Sequence, residues 1–392
     1  MFSRRTGWQL SPNALSQALD HLRQEGRALI DLTEVNPTHA GLGWSDGEGL
    51  RAALSQEGVL EHLPDPFGLP TARAALAQWL GRRGLRLPIT QLCLTASTSE
   101  AYAYLFKLLC DPGDAVLVPT PSYPLFDYLA GLEGLSLHNY PLRYDGEWHI
   151  DFGTLEATLL EGPPARALVA IHPNNPTGNY LKPAELDRLR AICAAQDLAL
   201  ISDEVFYEHG VEPPTAIADR AASGDHCLTF TLGGLSKLAG LPQLKLGWIA
   251  VNGPPELVAT ALGRLEVIAD SYLSVGAPVQ HALPYVLRHT DAFLGAADAR
   301  LRKNLAALDR ALVQAPHLSR LRCEGGFCAV LRLPQVRSSE DWALHLLVHN
   351  GLLVQPGAWY GLTPDAYVVV SLLCDEATFA AGVSTLAAGV RP

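Results

Sequence analysis

The sequence predicts an α/β protein: a large domain on a mainly parallel sheet with helices on both faces, followed by a smaller α+β domain. Three observations carry this expectation. Between about residues 68 and 250, helix-like and strand-like segments alternate, as in parallel strands joined by crossover helices. Past residue 278 the alternation gives way to a long helical stretch, then short strands and further helices, which suits an α+β unit. Several chemically interesting polar residues directly follow strand-like runs, where open α/β sheets gather their ligands.

In chain order, residues 1–45 read as an N-terminal arm with one short helix, opened by Ser11 and Pro12 as N-cap and first helical residue. Residues 46–277 form the expected large domain. Its helix-like stretches lie at 70–83, 99–110, 183–195 and 256–271. Its short apolar runs at 115–118, 167–171, 198–202, 227–230 and 246–251 read as buried strands. Residues 278–392 form the expected small domain: a helix over 278–315, strands at 327–333 and 367–372, a helix at 339–350 between them and a terminal helix.

Bulk composition narrows the function classes. A chain of 392 residues exceeds one small core. Apolar residues at 48% and charged residues at 18% exclude a largely disordered chain. A formal charge of −11 argues against nucleic acid as a partner while allowing a local phosphate site. No apolar run is long enough to span a membrane, and the start MFSRRTGWQL has no apolar stretch of a secretory signal. The seven cysteines are scattered, form no CxxC pair, and read as reduced core residues of a cytoplasmic protein without a metal site.

The richest segment is LGGLSKLAGLPQLKLGWIAV at 232–251, where Ser236 and Lys237 sit on a glycine-rich turn and Lys245 precedes an apolar run. A lysine held among small and apolar residues is partly desolvated, which favours the neutral amine and Schiff-base chemistry. In isolation Lys237 would read as an ordinary turn lysine. In LCLTASTSEAYAYLFKLLC at 92–110, an apolar run ends at Ser97, Thr98 and Ser99, where a helix begins. The free N–H groups of a helix start bind phosphate, although plain capping by Ser97 or Ser99 explains the hydroxyls equally simply. Tyr123 lies in the proline-rich loop of DPGDAVLVPTPSYPLF, an aromatic able to stack on a flat ring or to pack on the core. AIHPNNPTG at 170–178 turns after a strand and offers the Asn175 amide as a donor. In ALISDEVFYE at 199–208, Asp203 ends an apolar run, where a carboxylate needs a partner or a task.

Taken together and in this order, these segments resemble the class I/II aminotransferases, pyridoxal-phosphate enzymes of fold type I related to aspartate aminotransferase. DLTEVNPTHAG at 31–41 and GLLVQPGAWYG at 351–361 extend the resemblance over most of the chain. It implies pyridoxal 5'-phosphate as cofactor, with Lys237 as its covalent anchor. Asp203 would meet the pyridine nitrogen, Asn175 the ring oxygen and Tyr123 the ring face. Ser97, Thr98, Ser99, Ser236 and Lys245 would hold the phosphate. It also implies amino transfer between an amino acid and a 2-oxo acid, and a homodimer with the active site at its interface.

Four positions depart from the family pattern. The usual arginine eight residues after the lysine is Lys245, a point charge without a bidentate fork. The usual hydroxyl residue three positions before the lysine is Gly234. A tyrosine usual after the aspartate is Phe206, and the adjacent Tyr207 should point to the opposite side. Within AYVVVSLLCDE at 366–376, Val369 stands where the family shows the arginine that grips the substrate carboxylate. Asn36, Thr38, Ser371, Arg332 and Arg337 are the candidates to replace it, and His62 the candidate to reach a neighbouring subunit's phosphate. Two alternatives stay beside amino transfer: a lyase or decarboxylase on the same fold, favoured by Val369, and a non-catalytic module binding pyridoxal phosphate or an amino acid, which the intact Lys237, Asp203 and Asn175 oppose.

Overall fold

The computed structural model describes residues 1–364 and 366–390; Asp365, Arg391 and Pro392 lie outside the described residues. Strands appear in the order β1 (Ile30–Asp31), β2 (Leu92–Thr95), β3 (Ala115–Thr120), β4 (Ser136–Tyr144), β5 (Trp148–Ile150), β6 (Ala165–Ile171) and β7 (Ala199–Asp203). They continue as β8 (Thr229–Gly234), β9 (Gly247–Asn252), β10 (Ser319–Arg320), β11 (Cys328–Arg332), β12 (Leu352–Leu353), β13 (Gln355–Pro356) and β14 (Tyr367–Ser371).

The large sheet has the order β2-β9-β8-β7-β6-β3-β4-β5. From β8 to β4 every neighbouring pair is parallel. Strand β9 runs antiparallel between β2 and β8, and β5 closes the far edge antiparallel to β4. The sheet is therefore mainly parallel and, as expected of such sheets, buried on both faces. Strand β6 shows how its sequence achieves this: Ala167, Val169 and Ile171 join one core with Phe106 and Leu265, while Leu168 and Ala170 join another with Leu189 and Leu200. Alternate side chains of a strand face opposite sides, so an unbroken apolar run fills both layers.

A second sheet, β10-β11-β14-β13, is wholly antiparallel, and β1 of the arm pairs in parallel with β12. The helix Ala277–Val313 packs on Pro70–Arg82 along one part and on the terminal helix Glu376–Gly389 along another, so one rod touches both units. No helix among the described residues is long and apolar enough to cross a membrane.

Two local expectations change. The first helix spans Ala14–Gln24 and is capped by Asn13, whose side chain accepts from Ser16 N at 2.8 Å; Ser11 and Pro12 lie outside it. An Asn side chain is at least as good a cap as Ser, and here it is the one adjacent to the first turn. The strand expected at 227–230 instead runs Thr229–Gly234, so Gly233 and Gly234 are strand residues. Their lack of a side chain is what lets β8 approach β9: a Cβ at Gly233 would stand 2.4 Å from the Trp248 ring, and one at Gly234 would stand 3.3 Å from Gly247 Cα. Ser236 and Lys237 then sit in the single helical turn Leu235–Leu238.

Candidate active site

Sheet register gathers the site. Ile171 of β6 lies opposite Asp203 of β7, and Asp203 lies opposite Leu232 of β8. The carboxyl ends of three neighbouring parallel strands thus deliver Asn175, Asp203 and Lys237 to one edge, where the main chain is free to face a ligand. Across β9, the end of β2 adds Ser97, Thr98 and Ser99. These residues, with Tyr123 and Ser236, line one cavity of about 350 Å³.

Asp203 is buried and has no cationic partner among the described residues. Its Oδ1 accepts from Val205 N at 3.1 Å and its Oδ2 accepts from the Tyr102 hydroxyl at 3.1 Å. Burial pushes the carboxyl up to about 6, against the lowering effect of those two donors. Tyr102 is itself buried, and desolvation together with the neighbouring Asp203 raises its phenol well above the usual range, so it stays a donor.

Lys237 sits between two aromatic rings, its Nζ 5.5 Å from the centre of Phe206 and 5.4 Å from that of Phe327. Its one side-chain hydrogen bond among the described residues is a long one, to Val35 O at 3.4 Å. Desolvation lowers its ammonium below the usual lysine value, with Cys328 and Glu34 opposing. The turn that carries it is held from behind by the buried His209, whose Nε2 lies 2.9 Å from Lys237 O and whose Nδ1 lies 3.3 Å from Asp298.

Asn175 is presented by a knitted loop. Asn174 donates to Pro121 O at 3.0 Å and to the Thr177 hydroxyl at 2.6 Å, which in turn donates to Asn179 Oδ1. Ser97 caps the helix Thr98–Leu109, accepting from Glu100 N at 3.1 Å, so its capping role is real; Thr98 and Ser99 begin the first turn. Tyr123 is 47% exposed, which leaves its ring available to a ligand.

Other candidates lie elsewhere. Lys245 is exposed, in a left-handed backbone conformation with φ of 52°, and does not line the cavity. His62 is exposed beside a second cavity with Asp65 and His281. Asn36 follows the cavity residue Val35, and its Oδ1 accepts from both the amide and the hydroxyl of the exposed Thr38. Ser371 donates to Glu34 O at 2.6 Å, while Arg332 and Arg337 stack on Tyr367 and Trp342 away from the cavity. Val369 is a core residue with Val330 and Tyr360. Tyr207 points away from Phe206, toward His172, Tyr180 and Arg220, although the segment is a turn rather than a strand. Tyr102, Val35, Phe327 and Cys328 also line the cavity without having stood out in the sequence. Tyr102 carried a usable signal: three residues past Ser99 on a helix, it shares that residue's face.

The donor set suits pyridoxal phosphate: a buried carboxylate lacking a cation, a desolvated amine, an amide and hydroxyls at a helix start. The family model for aminotransferases of class I and II matches residues 30–383. The chain is 26% identical over 363 residues to a glutamate-pyruvate aminotransferase of Haemophilus influenzae, covering 90% of this chain and 88% of that protein. It is 27% identical to an alanine aminotransferase of Mycobacterium tuberculosis, covering 90% and 83%. Among solved structures, an alanine aminotransferase from Pyrococcus furiosus superposes with a TM-score of 0.87 at 21% identity, covering 99% of each chain.

Proposed function

This chain belongs to the class I and II aminotransferases, a pyridoxal-phosphate family, and we propose that the cavity beside Lys237 is where it moves an amino group between an amino acid and a 2-oxo acid. The observation that carries the site assignment is the convergence of Asn175, Asp203 and Lys237 from three adjacent strand ends on one cavity. When bound, the cofactor supplies an electron-withdrawing ring and a carbonyl carbon that takes up amines.

The residues divide the remaining work. Lys237 would anchor the cofactor, and its free amine would move the proton from the substrate Cα as general base and then acid; its lowered ammonium suits that task. Asp203 holds a proton at the ring nitrogen, and its burial makes the charge pair strong. Asn175 would donate to the ring oxygen, and Tyr123 would cover the ring face. Ser99, Thr98, Ser97 and Ser236 hold the phosphate at the helix start.

Much of the rest of the cavity wall is apolar. Val35, Leu125, Leu129 and Phe327 belong to it, and Lys237 is the one cationic residue among the lining residues described. We assign the substrate carboxylate to neutral donors, with Asn36 and Thr38 the nearest in sequence to that wall, and the rest of the substrate to an apolar side chain. His62 is flanked by the exposed Leu60 and Leu63, 87% and 56% accessible, which supports that loop as part of a homodimer interface. Free cysteines, mostly buried, support a cytoplasmic setting. The division into an arm at 1–45, a large domain at 46–277 and a small domain at 278–392 belongs to the same reading.

A panel of amino donors and 2-oxo acids tests the proposal. A donor should bleach the visible cofactor band, an oxo acid should restore it, and ¹⁵N should pass from donor to acceptor. Release of ammonia or carbon dioxide in place of ¹⁵N transfer would overturn it.

A further inference from the structure

One buried polar contact in the cavity is not used by the assignments above. Tyr102 stands on the helix Thr98–Leu109, one turn beyond Ser99, and its hydroxyl reaches across to Asp203 Oδ2 at 3.1 Å. The ring is clamped by Phe126, edge-on at 5.1 Å, and by Phe106 at 5.8 Å, so the hydroxyl is held in place. Among the described residues Asp203 has one other donor, the Val205 amide on Oδ1. Each carboxylate oxygen has two acceptor sites, so one on each remains for an incoming N–H.

We propose that Tyr102 is a positioning residue that fixes the Asp203 carboxylate for the cofactor's ring nitrogen and ties it to the helix whose start binds the phosphate. The inference rests on the assignment of Asp203 to that nitrogen. Its physical basis is that a carboxylate with a single backbone donor can rotate about its side-chain torsions. A second donor on the other oxygen removes that freedom and stabilises the ionised form in a buried setting. Because the same helix supplies Ser97, Thr98 and Ser99, the distance between the phosphate end and the ring end of the cavity is set within a single turn.

The test is a double-mutant cycle on the holoenzyme, with Tyr102→Phe, which keeps the ring packing, and Asp203→Asn. Pyridoxal-phosphate affinity is measured by equilibrium dialysis, and kcat and KM by steady-state kinetics. Tyr102→Phe should weaken cofactor binding about tenfold, the scale of a hydrogen bond to a charged group, and lower kcat with little change in KM for the oxo acid. In the Asp203→Asn background the same change should have less than about a twofold effect. An unchanged affinity and kcat in Tyr102→Phe overturns the inference, and so does an equal loss in both backgrounds, which would mean simple packing. If Asp203→Asn itself leaves affinity and kcat intact, the assignment of Asp203 fails instead. Tyr102→Met, another apolar filler without a donor, carries the same expectations should the Phe variant not fold.

Discussion

The two ends of the cavity are built differently. At the ring end, Asn175, Asp203 and Lys237 each follow a strand of one parallel run, β6, β7 and β8, and their proximity is a consequence of ladder register. At the phosphate and substrate end, the groups come from a helix start, an arm and the second sheet. There the positions where the family pattern expects cations hold an exposed Lys245 and a buried Val369. The difference teaches that backbone pairing fixes the first set as soon as the sheet forms, whereas the second depends on how separate units pack. The first set should therefore carry large, localised effects when altered, and the second smaller ones shared among several neutral donors.

The largest effect should follow Lys237→Ala. Turnover is expected to fall by about 10⁴-fold or more, the upper range for losing a positioned acid–base group. Borohydride should no longer trap cofactor mass on the protein. Retention of that adduct would show that the strand-end lysine is not the anchor. Asp203→Asn comes next, with kcat expected to drop by roughly 10² to 10³. Its free-protein signature is a pH effect. Burial raises the folded carboxyl to about 6 from its ordinary 3.8, so between those limits the native state holds a proton that the unfolded state has released. The contribution of Asp203 to apoprotein stability is thus highest below about pH 4 and declines as pH rises through 6, by at most about 3 kcal/mol. Urea denaturation of wild type and Asp203→Asn apoprotein across pH 4–7 measures it: the wild type should lose ground to the variant as pH rises. Parallel curves would mean that solvent in the cavity screens the group.

Legibility in the sequence follows the same division. Apolar runs marked β3, β6 and β7 to within a few residues, because strands buried on both faces leave an uninterrupted signal, and Asp203 stood out as a carboxylate ending such a run. Gly233 and Gly234 misled, because glycine punctuates turns but here relieves a close contact with Trp248 and Gly247. Tyr102 and Phe327 escaped notice because nothing in the linear order says that residue 102 reaches 203, or that residue 327 of the second sheet unit closes over Lys237. The place of Lys245 outside the cavity lining was equally hidden: it is itself a left-handed residue between a short 3-10 turn and β9.

At the other end of the cavity, Ser97 and Ser99 separate capping from ligand binding. Ser97→Ala should cost about 1 kcal/mol of thermal stability through the lost cap, measured on the apoprotein. Ser99→Ala should leave apoprotein stability alone and weaken cofactor binding about tenfold. Lys245→Ala should weaken it at most about fivefold, the ceiling for an exposed ion pair. A Lys245 loss larger than that of Ser99 would mean that the exposed lysine swings into the site on binding, and would dissolve the contrast between the two ends.

The smallest expected effect probes the ring end where it most departs from its family. Phe206 places an apolar face 5.5 Å from Lys237 Nζ and packs edge-on against Phe327 at 5.1 Å. Adding a hydroxyl in Phe206→Tyr would return a donor near the ring oxygen, on the side away from Tyr207. A donor there stabilises the unprotonated linkage between Lys237 and the cofactor, so the pH midpoint of the bound cofactor's absorbance should fall in the variant. One neutral hydrogen bond corresponds to a shift of about one unit or less. The sign follows from which form the new hydrogen bond favours, and it distinguishes two roles for the phenylalanine. A lower midpoint means that Phe206 keeps the linkage protonated to higher pH by withholding a donor. An unchanged midpoint means that the paired rings of Phe206 and Phe327 act on Lys237 only by excluding water.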